Sequence, residues 1–194
     1  RALIDSGREN VYHIKRCFMA KLIKAVIFDQ DGLMFDSERL VAEGWAFAGK
    51  KFGYDVNEDF LRGVRGRSVA EIKAAFLARF GNDAPFDEMN AEKRRRTYEY
   101  VEKFGIPVKK GLKELLFYLK ARGIPAAVAT SSSREWTLGN LRQTGIEDLF
   151  SLCVFGDMVS RGKPAPDIFL LAAQKLGQEP QNCLVLEDSL QGNE

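Results

Sequence analysis

The side chains best suited to chemistry in this chain of 194 residues are acids and hydroxyls that directly follow short apolar runs. They are Asp29 and Asp31, then Thr130 with the serines 131–133, then Glu187 and Asp188, with Lys163 as a cation in the loop 161–167. Crowded carboxylates repel one another and partly protonate unless a divalent cation with oxygen ligands, most simply Mg²⁺, lies among them. A lysine, a hydroxyl and a divalent cation together bind a phosphate dianion well.

Each cluster also has a structural interpretation when it is taken alone. Asp-Gln-Asp-Gly is typical of a tight turn, and Gly32 follows Asp29 too soon for the calcium-binding loop of an EF-hand. Serines such as 131–133 commonly begin a helix, and Lys163 before a proline fits a solvated loop. The functional interpretation therefore depends on the order of the clusters and on their placement after predicted strands.

Four apolar runs predict the strands that position these clusters. They are residues 24–28, residues 126–129, Leu152–Phe155 and Cys183–Leu186. None alternates polar and apolar residues, a pattern typical of parallel strands covered on both faces. Helices are predicted around Leu112–Leu119, whose leucines share one face, and over residues 133–144 and 166–176, each followed by a glycine. Because ligands of such sheets bind at the carboxyl ends of the strands, we expect the polar clusters to meet there.

Residues 37–109 contain no comparable strand and predict an all-helical insertion. The pattern favours helices over Ser37–Phe52, Val69–Phe80 and Phe86–Phe104. The stretch is far longer than an ordinary loop between a strand and a helix. The predicted fold class is therefore α/β, with a Rossmann-like parallel core formed by residues 19–36 and 110–194 and an inserted helical cap domain at residues 37–109.

Composition excludes several classes of function. The formal net charge of +2 gives no broad positive surface for nucleic acid or an anionic membrane, and the basic run 93–96 is interleaved with glutamates, as on a solvated helix face. No apolar run is long enough to span a membrane, so we expect a soluble, cytoplasmic protein. Three scattered cysteines and the lone His13 argue against a disulfide framework, a zinc site or a serine–histidine triad.

The two ends of the sequence give expectations of their own. Residues 1–18 precede Met19 and are interpreted as an extension or a tag remnant. The chain stops soon after Ser189, where this type of sheet would continue, so the core is expected to be truncated at its carboxyl end. The apolar strand Cys183–Leu186 would then need another chain or residues 1–18 to cover it.

The four clusters in this order resemble the motifs of the haloacid dehalogenase superfamily of phosphotransferases. The resemblance covers residues 24–192 and rests on residues 29–38 (Asp-Gln-Asp-Gly-Leu-Met-Phe-Asp-Ser-Glu), Val-Ala-Thr130-Ser-Ser, Gly-Lys163-Pro-Ala-Pro-Asp167 and Leu-Glu187-Asp188-Ser. The predicted helical insertion resembles the cap of the branch that contains β-phosphoglucomutase and many sugar-phosphate and nucleotide phosphatases.

The resemblance implies a role for each residue of the site. Asp29 would be the nucleophile that becomes an aspartyl phosphate, and Asp31 the general acid and base. Thr130 and Lys163 would hold the transferring phosphoryl group. The implied Mg²⁺ ligands are Asp29, Asp188 and the backbone carbonyl of Asp31, with Glu187 as an outer or alternative ligand.

The cap residues bear on the substrate. By the resemblance, a mutase would have an arginine after the Gly-x-Ser of the cap loop and a histidine on the first cap helix, whereas this sequence has Gly66-Arg67-Ser68-Val69 and Arg39-Leu40-Val41. The expected function is therefore a Mg²⁺-dependent phosphatase of a small sugar phosphate or nucleotide-like metabolite. The candidate substrate-binding residues are Ser131, Arg67 and Ser68, although Arg65 or Arg67 could serve a mutase.

Two alternatives stay open at the level of sequence, and a third is disfavoured. A phosphosugar mutase of the β-phosphoglucomutase type is one, and a truncated, non-catalytic binding module is another. A dehalogenase also uses an aspartate nucleophile, but it needs neither Asp31 nor Mg²⁺, so the Asp29-Gln30-Asp31 spacing favours phosphate.

Overall fold

A four-stranded parallel sheet forms the centre of the molecule, in the strand order β3-β2-β1-β4. The computed structural model describes residues 23–64, 67 and 69–189. The strands are β1 (Ala25–Phe28), β2 (Ala126–Thr130), β3 (Leu152–Phe155) and β4 (Cys183–Leu186). The parallel α/β architecture predicted from the apolar runs is confirmed.

Strand β1 is central because it pairs with β2 on one side and β4 on the other. Ile27 is in register with Ala127 of β2 and with Val185 of β4. Every residue of β1 and β2 is buried, which explains why neither strand alternates polar and apolar residues.

Helices cover both faces of this sheet. They are α5 (Leu112–Ala121), α6 (Arg134–Thr144) and α7 (Asp167–Lys175), with short 3₁₀ turns at Glu147–Leu149, Gly156–Met158 and Pro180–Asn182. Val26 and Phe28 share one apolar core with three leucines of α5, Leu112, Leu116 and Leu119, whereas the fourth, Leu115, is exposed. Ile27 faces the opposite core with Ile168 of α7. Helix α6 begins at Ser133, whose Oγ accepts a hydrogen bond from the Trp136 backbone N–H at 3.3 Å.

Four helices lie between β1 and α5, and we refer to them as the helical insertion. They are α1 (Ser37–Phe52), α2 (Glu58–Val64), α3 (Val69–Phe80) and α4 (Phe86–Phe104). Trp45, Phe60, Phe76 and Phe86 are buried in a separate apolar core within it. Helix α1 approaches α4 closely at Gly44, where an added Cβ would lie 3.0 Å from the Lys93 carbonyl oxygen.

The chain enters and leaves the helical insertion at neighbouring points. The backbone N–H of Asp36 donates to the Pro107 carbonyl at 2.9 Å, and the Lys109 N–H donates to the Met34 carbonyl at 2.9 Å. The Lys109 Nζ also lies 3.3 Å from Asp36 Oδ1. These contacts join the two connections between the helical insertion and the sheet.

Strand β4 is less covered than its apolar sequence predicts. Leu184 is 39% exposed and Val185 is 36% exposed, because β4 has only β1 as a neighbour within the described part of the sheet. Residues 1–18, which were expected to cover β4, lie outside the described residues. So do Gly66 and Ser68, which follow α2 in the sequence. No described helix is long and apolar enough to cross a membrane.

Candidate active site

The polar clusters meet where the strands end. Asp29 follows β1, Thr130 ends β2 and Glu187 follows β4, and these three strands are neighbours in the sheet. A cavity of about 420 Å³ opens there, between the sheet and the helical insertion. Its lining includes eight of the site residues predicted from the sequence: Asp29, Asp31, Arg67, Thr130, Ser131, Lys163, Glu187 and Asp188. The ninth, Ser68, lies outside the described residues.

Lys163 connects two of the acids. Its Nζ donates to Asp29 Oδ1 at 2.5 Å and to Glu187 Oε2 at 2.6 Å. The amine also lies 4.8 Å from the centre of the Phe169 ring, and the side chain is only 12% exposed. The sequence left a solvated loop as an alternative for Lys163, and the buried double ion pair contradicts that alternative.

The loop that carries Lys163 is fastened to the start of α7. The Arg161 guanidinium donates to both carboxylate oxygens of Asp167, at 3.1 and 2.7 Å. Such a two-pronged pair fixes direction as well as distance. Arg161 and Asp167 therefore hold the two ends of the loop together and limit how far Lys163 can move.

Burial dominates the electrostatics of Asp29. The side chain is 10% exposed, and its burial raises the pKa of the carboxyl to about 7, although the charge and hydrogen bond of Lys163 act in the opposite direction. The nearby acids Glu187 and Asp31 raise it further. A second positive charge beside Asp29 would favour its ionised form.

Glu187 is held by groups on both sides. Burial alone would raise the pKa of its carboxyl, but hydrogen bonds from Lys163 and Ser189 hold that pKa below its usual value. Its Oε1 accepts from the Ser189 N–H at 3.0 Å and from the Ser189 Oγ at 2.8 Å. Ser189 thus orients the carboxylate through Oε1, and the carboxylate orients the Lys163 amine through Oε2.

Asp29, Glu187 and Asp188 form an acidic cluster in which one ligand oxygen of each lies within 4.8 Å of the others. Gly32 makes room for it. Its φ of +86° is unfavourable for other residues, and a Cβ built on it would lie 2.2 Å from Asp188 Oδ2. Burial and the charge of Glu187 raise the pKa of Asp188.

Ser132 is the functional candidate that the sequence did not single out. Its Oγ donates to Asp31 Oδ2 at 2.5 Å, and Gln30 Nε2 approaches the same oxygen at 3.4 Å. The Ser132 backbone N–H donates to the Thr130 hydroxyl at 3.0 Å, and Thr130 is fully buried. Ser131, which was predicted to bind substrate, lines the cavity beside them.

The helical insertion supplies the opposite side of the cavity. Arg67 lies there with an exposed side chain, and its guanidinium makes no hydrogen bond or ion pair with any described residue. Its backbone N–H donates to the Val64 carbonyl at 3.2 Å, which places it just after α2. Arg67 thus lies between α2 and α3, on the side of the cavity opposite the strand ends.

Comparison with known proteins identifies the relatives of this arrangement. The sequence model of the haloacid dehalogenase-like hydrolase family matches residues 23–192. A phosphorylated carbohydrates phosphatase of Thermotoga maritima is 33% identical over 175 residues, which are 89% of this chain and 79% of that protein.

Solved structures agree with the sequence comparison. The β-phosphoglucomutase of Clostridium difficile superimposes with a TM-score of 0.72 at 28% identity, covering 88% of this chain and 78% of that one. CbbY of Rhodobacter sphaeroides, in complex with xylulose-(1,5)bisphosphate, gives a TM-score of 0.71 at 27% identity, with 88% and 80% coverage.

Proposed function

Since this chain belongs to the haloacid dehalogenase-like hydrolases, we propose that it is a phosphatase of a small phosphorylated metabolite, of the sugar-phosphate or nucleotide kind. The observation that carries the proposal is the meeting of Asp29, Asp31 and Lys163 in one cavity at the strand ends. A buried carboxylate beside a buried amine, with a second aspartate nearby, provides a nucleophile, a phosphate-binding cation and a proton carrier.

Asp29 is the proposed nucleophile. Its carboxylate oxygen forms a bond to phosphorus while the bond between phosphorus and the substrate's alcohol oxygen breaks, which leaves an acyl phosphate on Asp29. Lys163, 2.5 Å from Asp29 Oδ1, is placed to bind the oxygens of the phosphoryl group during this transfer. We assign Glu187 the task of orienting that amine, since it accepts from Lys163 and Ser189.

Asp31 is the proposed proton carrier. It donates a proton to the departing alcohol oxygen in the first step and takes one from water in the second. The water oxygen then attacks phosphorus, the acyl phosphate is cleaved, and inorganic phosphate and the Asp29 carboxylate are released. The hydrogen bond from Ser132 fixes the Asp31 carboxylate on the cavity side of the loop.

The acidic cluster fits a divalent metal ion. Three carboxylates converge within 4.8 Å, and among the described lining residues Lys163 is the cation that touches them. Hard carboxylate oxygens are typical ligands of Mg²⁺, and Gly32 provides the space in which Asp188 approaches the loop. We propose that Asp29, Asp188 and the Asp31 carbonyl hold Mg²⁺, which would neutralise charge on the phosphoryl oxygens when bound.

The helical insertion is the proposed cap. It closes one side of the cavity, and exclusion of bulk water there would protect the acyl phosphate until the alcohol has left. Arg67, whose guanidinium is unpaired among the described residues, is placed to bind a polar group of the leaving alcohol. Ser131 and Ser68 remain predicted substrate-binding residues.

A screen of phosphorylated metabolites, with Mg²⁺ and with EDTA, tests the proposal. We expect phosphate release that requires the metal and disappears in Asp29→Asn, whereas Asp83→Asn, the same change at an exposed position of the helical insertion, keeps it. Asp31→Asn should lose turnover but retain Mg²⁺ affinity, because its proposed metal ligand is a backbone carbonyl. Undiminished turnover in Asp29→Asn would refute the proposed mechanism.

A further inference from the structure

The cavity has two chemically different ends. The loops of the sheet give it carboxylates, hydroxyls and Lys163, whereas the wall opposite them is apolar. We call this surface the apolar wall; it consists of Val41, Trp45, Leu61, Val64, Val69 and Ile72, from three helices of the insertion. The polar side chains that the described part of the insertion adds to the lining are Ser37, Glu38 and Arg67.

The apolar wall has surface left to bind a ligand. Val69 is 60% exposed and Ile72 is half-buried, so neither side chain is fully covered by its own neighbours. Covering such surface with an apolar ligand group contributes roughly 25 cal/mol per Å² of area removed from water. The wall therefore favours a ligand that brings apolar area of its own.

The same wall disfavours a leaving group rich in hydroxyls. An open-chain polyol carries a hydroxyl on nearly every carbon, and a hydroxyl buried without a hydrogen bond costs roughly 1–3 kcal/mol in proteins. The three polar side chains that line the cavity from the described part of the insertion can satisfy few of these hydroxyls. A flat ring has two faces without hydroxyls and avoids most of this cost.

An aromatic residue from a helix beside the sheet, Trp136, also lines the cavity. Trp136, in the first turn of α6, lines it only a few residues after Ser131 and Ser132. Its ring is held edge-on by Tyr98 of α4, with ring centres 4.8 Å apart. Trp136 thus presents an oriented aromatic surface near the proposed phosphate end, and aromatic rings pair favourably with one another.

From this lining we propose that the leaving group of the substrate carries an aromatic or heteroaromatic ring, bound against the apolar wall. The substrate class is then a phosphomonoester of a ring-bearing alcohol, as in nucleotide-like metabolites, in preference to an open-chain polyol phosphate. This inference rests on the proposed phosphatase function and narrows it.

The test compares two phosphate esters of similar size, 2-phenylethyl phosphate and erythritol 4-phosphate. Both are esters of primary alcohols, so the acidity of the leaving group is nearly matched. Acetyl phosphate serves as a third substrate that needs no ring. We expect kcat/KM to favour 2-phenylethyl phosphate by about tenfold or more.

Polar substitutions in the apolar wall should lower the ratio of kcat/KM for 2-phenylethyl phosphate to kcat/KM for erythritol 4-phosphate. Val69→Asn and Ile72→Asn replace wall residues, and Val69 is exposed enough that its replacement leaves folding intact. Leu77→Asn is the matched control, because Leu77 is half-buried on the same helix but does not line the cavity. We expect the wall variants to reduce the ratio several-fold and Leu77→Asn to preserve it.

If the unaltered chain has an equal or higher kcat/KM for erythritol 4-phosphate than for 2-phenylethyl phosphate, the inference is overturned. The proposed phosphatase function is not affected by that outcome. The inference is also overturned if the ratio of the two kcat/KM values stays unchanged in Val69→Asn, as it is expected to do in Leu77→Asn. If none of the three phosphates is hydrolysed in a manner that depends on Asp29, the proposed function fails and the ring-binding role of the wall fails with it.

Discussion

At the scale of single residues, the direction of the Asp31 carboxylate is set by a side chain from another strand. Ser132 follows β2, and its hydroxyl donates to Asp31 Oδ2 at 2.5 Å across the cavity floor. A proton carrier works only if its oxygen reaches the departing alcohol in the right direction. Ser132 is thus a positioning residue whose effect should be on turnover.

Ser132→Ala should lower kcat about tenfold and leave KM nearly unchanged, because the substrate still binds while Asp31 is less well oriented. Ser132→Thr, which keeps the hydroxyl, should restore most of the rate. Ser133→Ala removes the cap of α6 instead and should cost about 1 kcal/mol of stability with little loss of kcat. Steady-state kinetics measures the predicted loss of kcat, and chemical denaturation measures the predicted loss of stability. A rise in KM without a fall in kcat for Ser132→Ala would contradict the positioning role of Ser132.

The sequence predicted most members of this site but not their orientation. Strand-end placement was enough to bring Asp29, Asp31, Thr130 and Glu187 together, because parallel strands share one carboxyl edge. It could not tell which of the serines 131–133 turns toward Asp31, since that depends on side-chain directions in the folded loop. Nor could it show that Glu187 holds Lys163, a pairing that requires two loops to meet.

At the scale of elements, the loop after β1 depends on a glycine. Gly32→Ala should lower Mg²⁺ affinity and turnover by at least about tenfold, because a Cβ there lies 2.2 Å from Asp188 Oδ2. Gly53→Ala is the matched control, with a φ of +80° and nothing within 4 Å of the added Cβ. Both variants should lose about 1 kcal/mol of stability. Calorimetric Mg²⁺ titration distinguishes them, and equal affinities in the two would disprove the steric explanation.

Helix α4 carries a half-buried cation, Lys93, that should make stability depend on pH. Burial, and secondly the charge of Arg94, lowers the pKa of Lys93 from 10.5 to about 8. Its amine lies 5.4 Å from the centre of the Trp45 ring, inside the helical insertion. Between pH 8 and 10.5 the unfolded chain binds more protons at this lysine than the folded chain, so its contribution to stability becomes more favourable as pH rises.

Lys93→Met should therefore stabilise the fold at pH 7 by about 1–2 kcal/mol, since the apolar stem stays and the desolvated charge is removed. The gain should shrink steadily as pH rises from 8 to 10.5. Lys103→Met, on the exposed side of the same helix, should show neither effect. Denaturant unfolding at several pH values measures this, and a gain that does not change with pH would argue against desolvation as its cause.

The long helices of the insertion were predictable from the sequence, whereas its shortest helix was not. Helices Ser37–Phe52, Val69–Phe80 and Phe86–Phe104 have the predicted bounds, because each is long enough for a periodic apolar pattern. Helix α2, Glu58–Val64, was missed because its seven residues span only two turns. The partial exposure of Leu184 and Val185 on β4 agrees with the expectation that this apolar strand needs further cover.

At the scale of the whole molecule, the residues that the helical insertion places opposite the strand ends decide whether water or a second sugar phosphate accepts the phosphoryl group. A phosphosugar mutase must hold a second phosphate while the first is transferred. The segment that corresponds to the mutase histidine begins with Arg39, whose guanidinium is engaged with Asp36 at 2.9 Å and with Glu43 at 2.6 Å. Among the described residues that line the cavity, Arg67 would then have to bind the second phosphate.

We therefore expect water to be the preferred acceptor. Incubation with β-glucose 1-phosphate and catalytic glucose 1,6-bisphosphate should yield inorganic phosphate or no reaction, because an exposed guanidinium such as that of Arg67 binds a second phosphate weakly. Phosphorus NMR of the mixture follows the products. Glucose 6-phosphate as the main product would identify the chain as a mutase instead.

The joined entry and exit of the helical insertion has an evolutionary consequence. Because Asp36 contacts both Pro107 and Lys109, the chain leaves the sheet and returns to it at almost one point. Helices inserted at such a junction can become longer or shorter, or be replaced, while the strands keep their register. Inherited changes in substrate preference can then accumulate in one part of the gene, while selection on the catalytic acids acts on another.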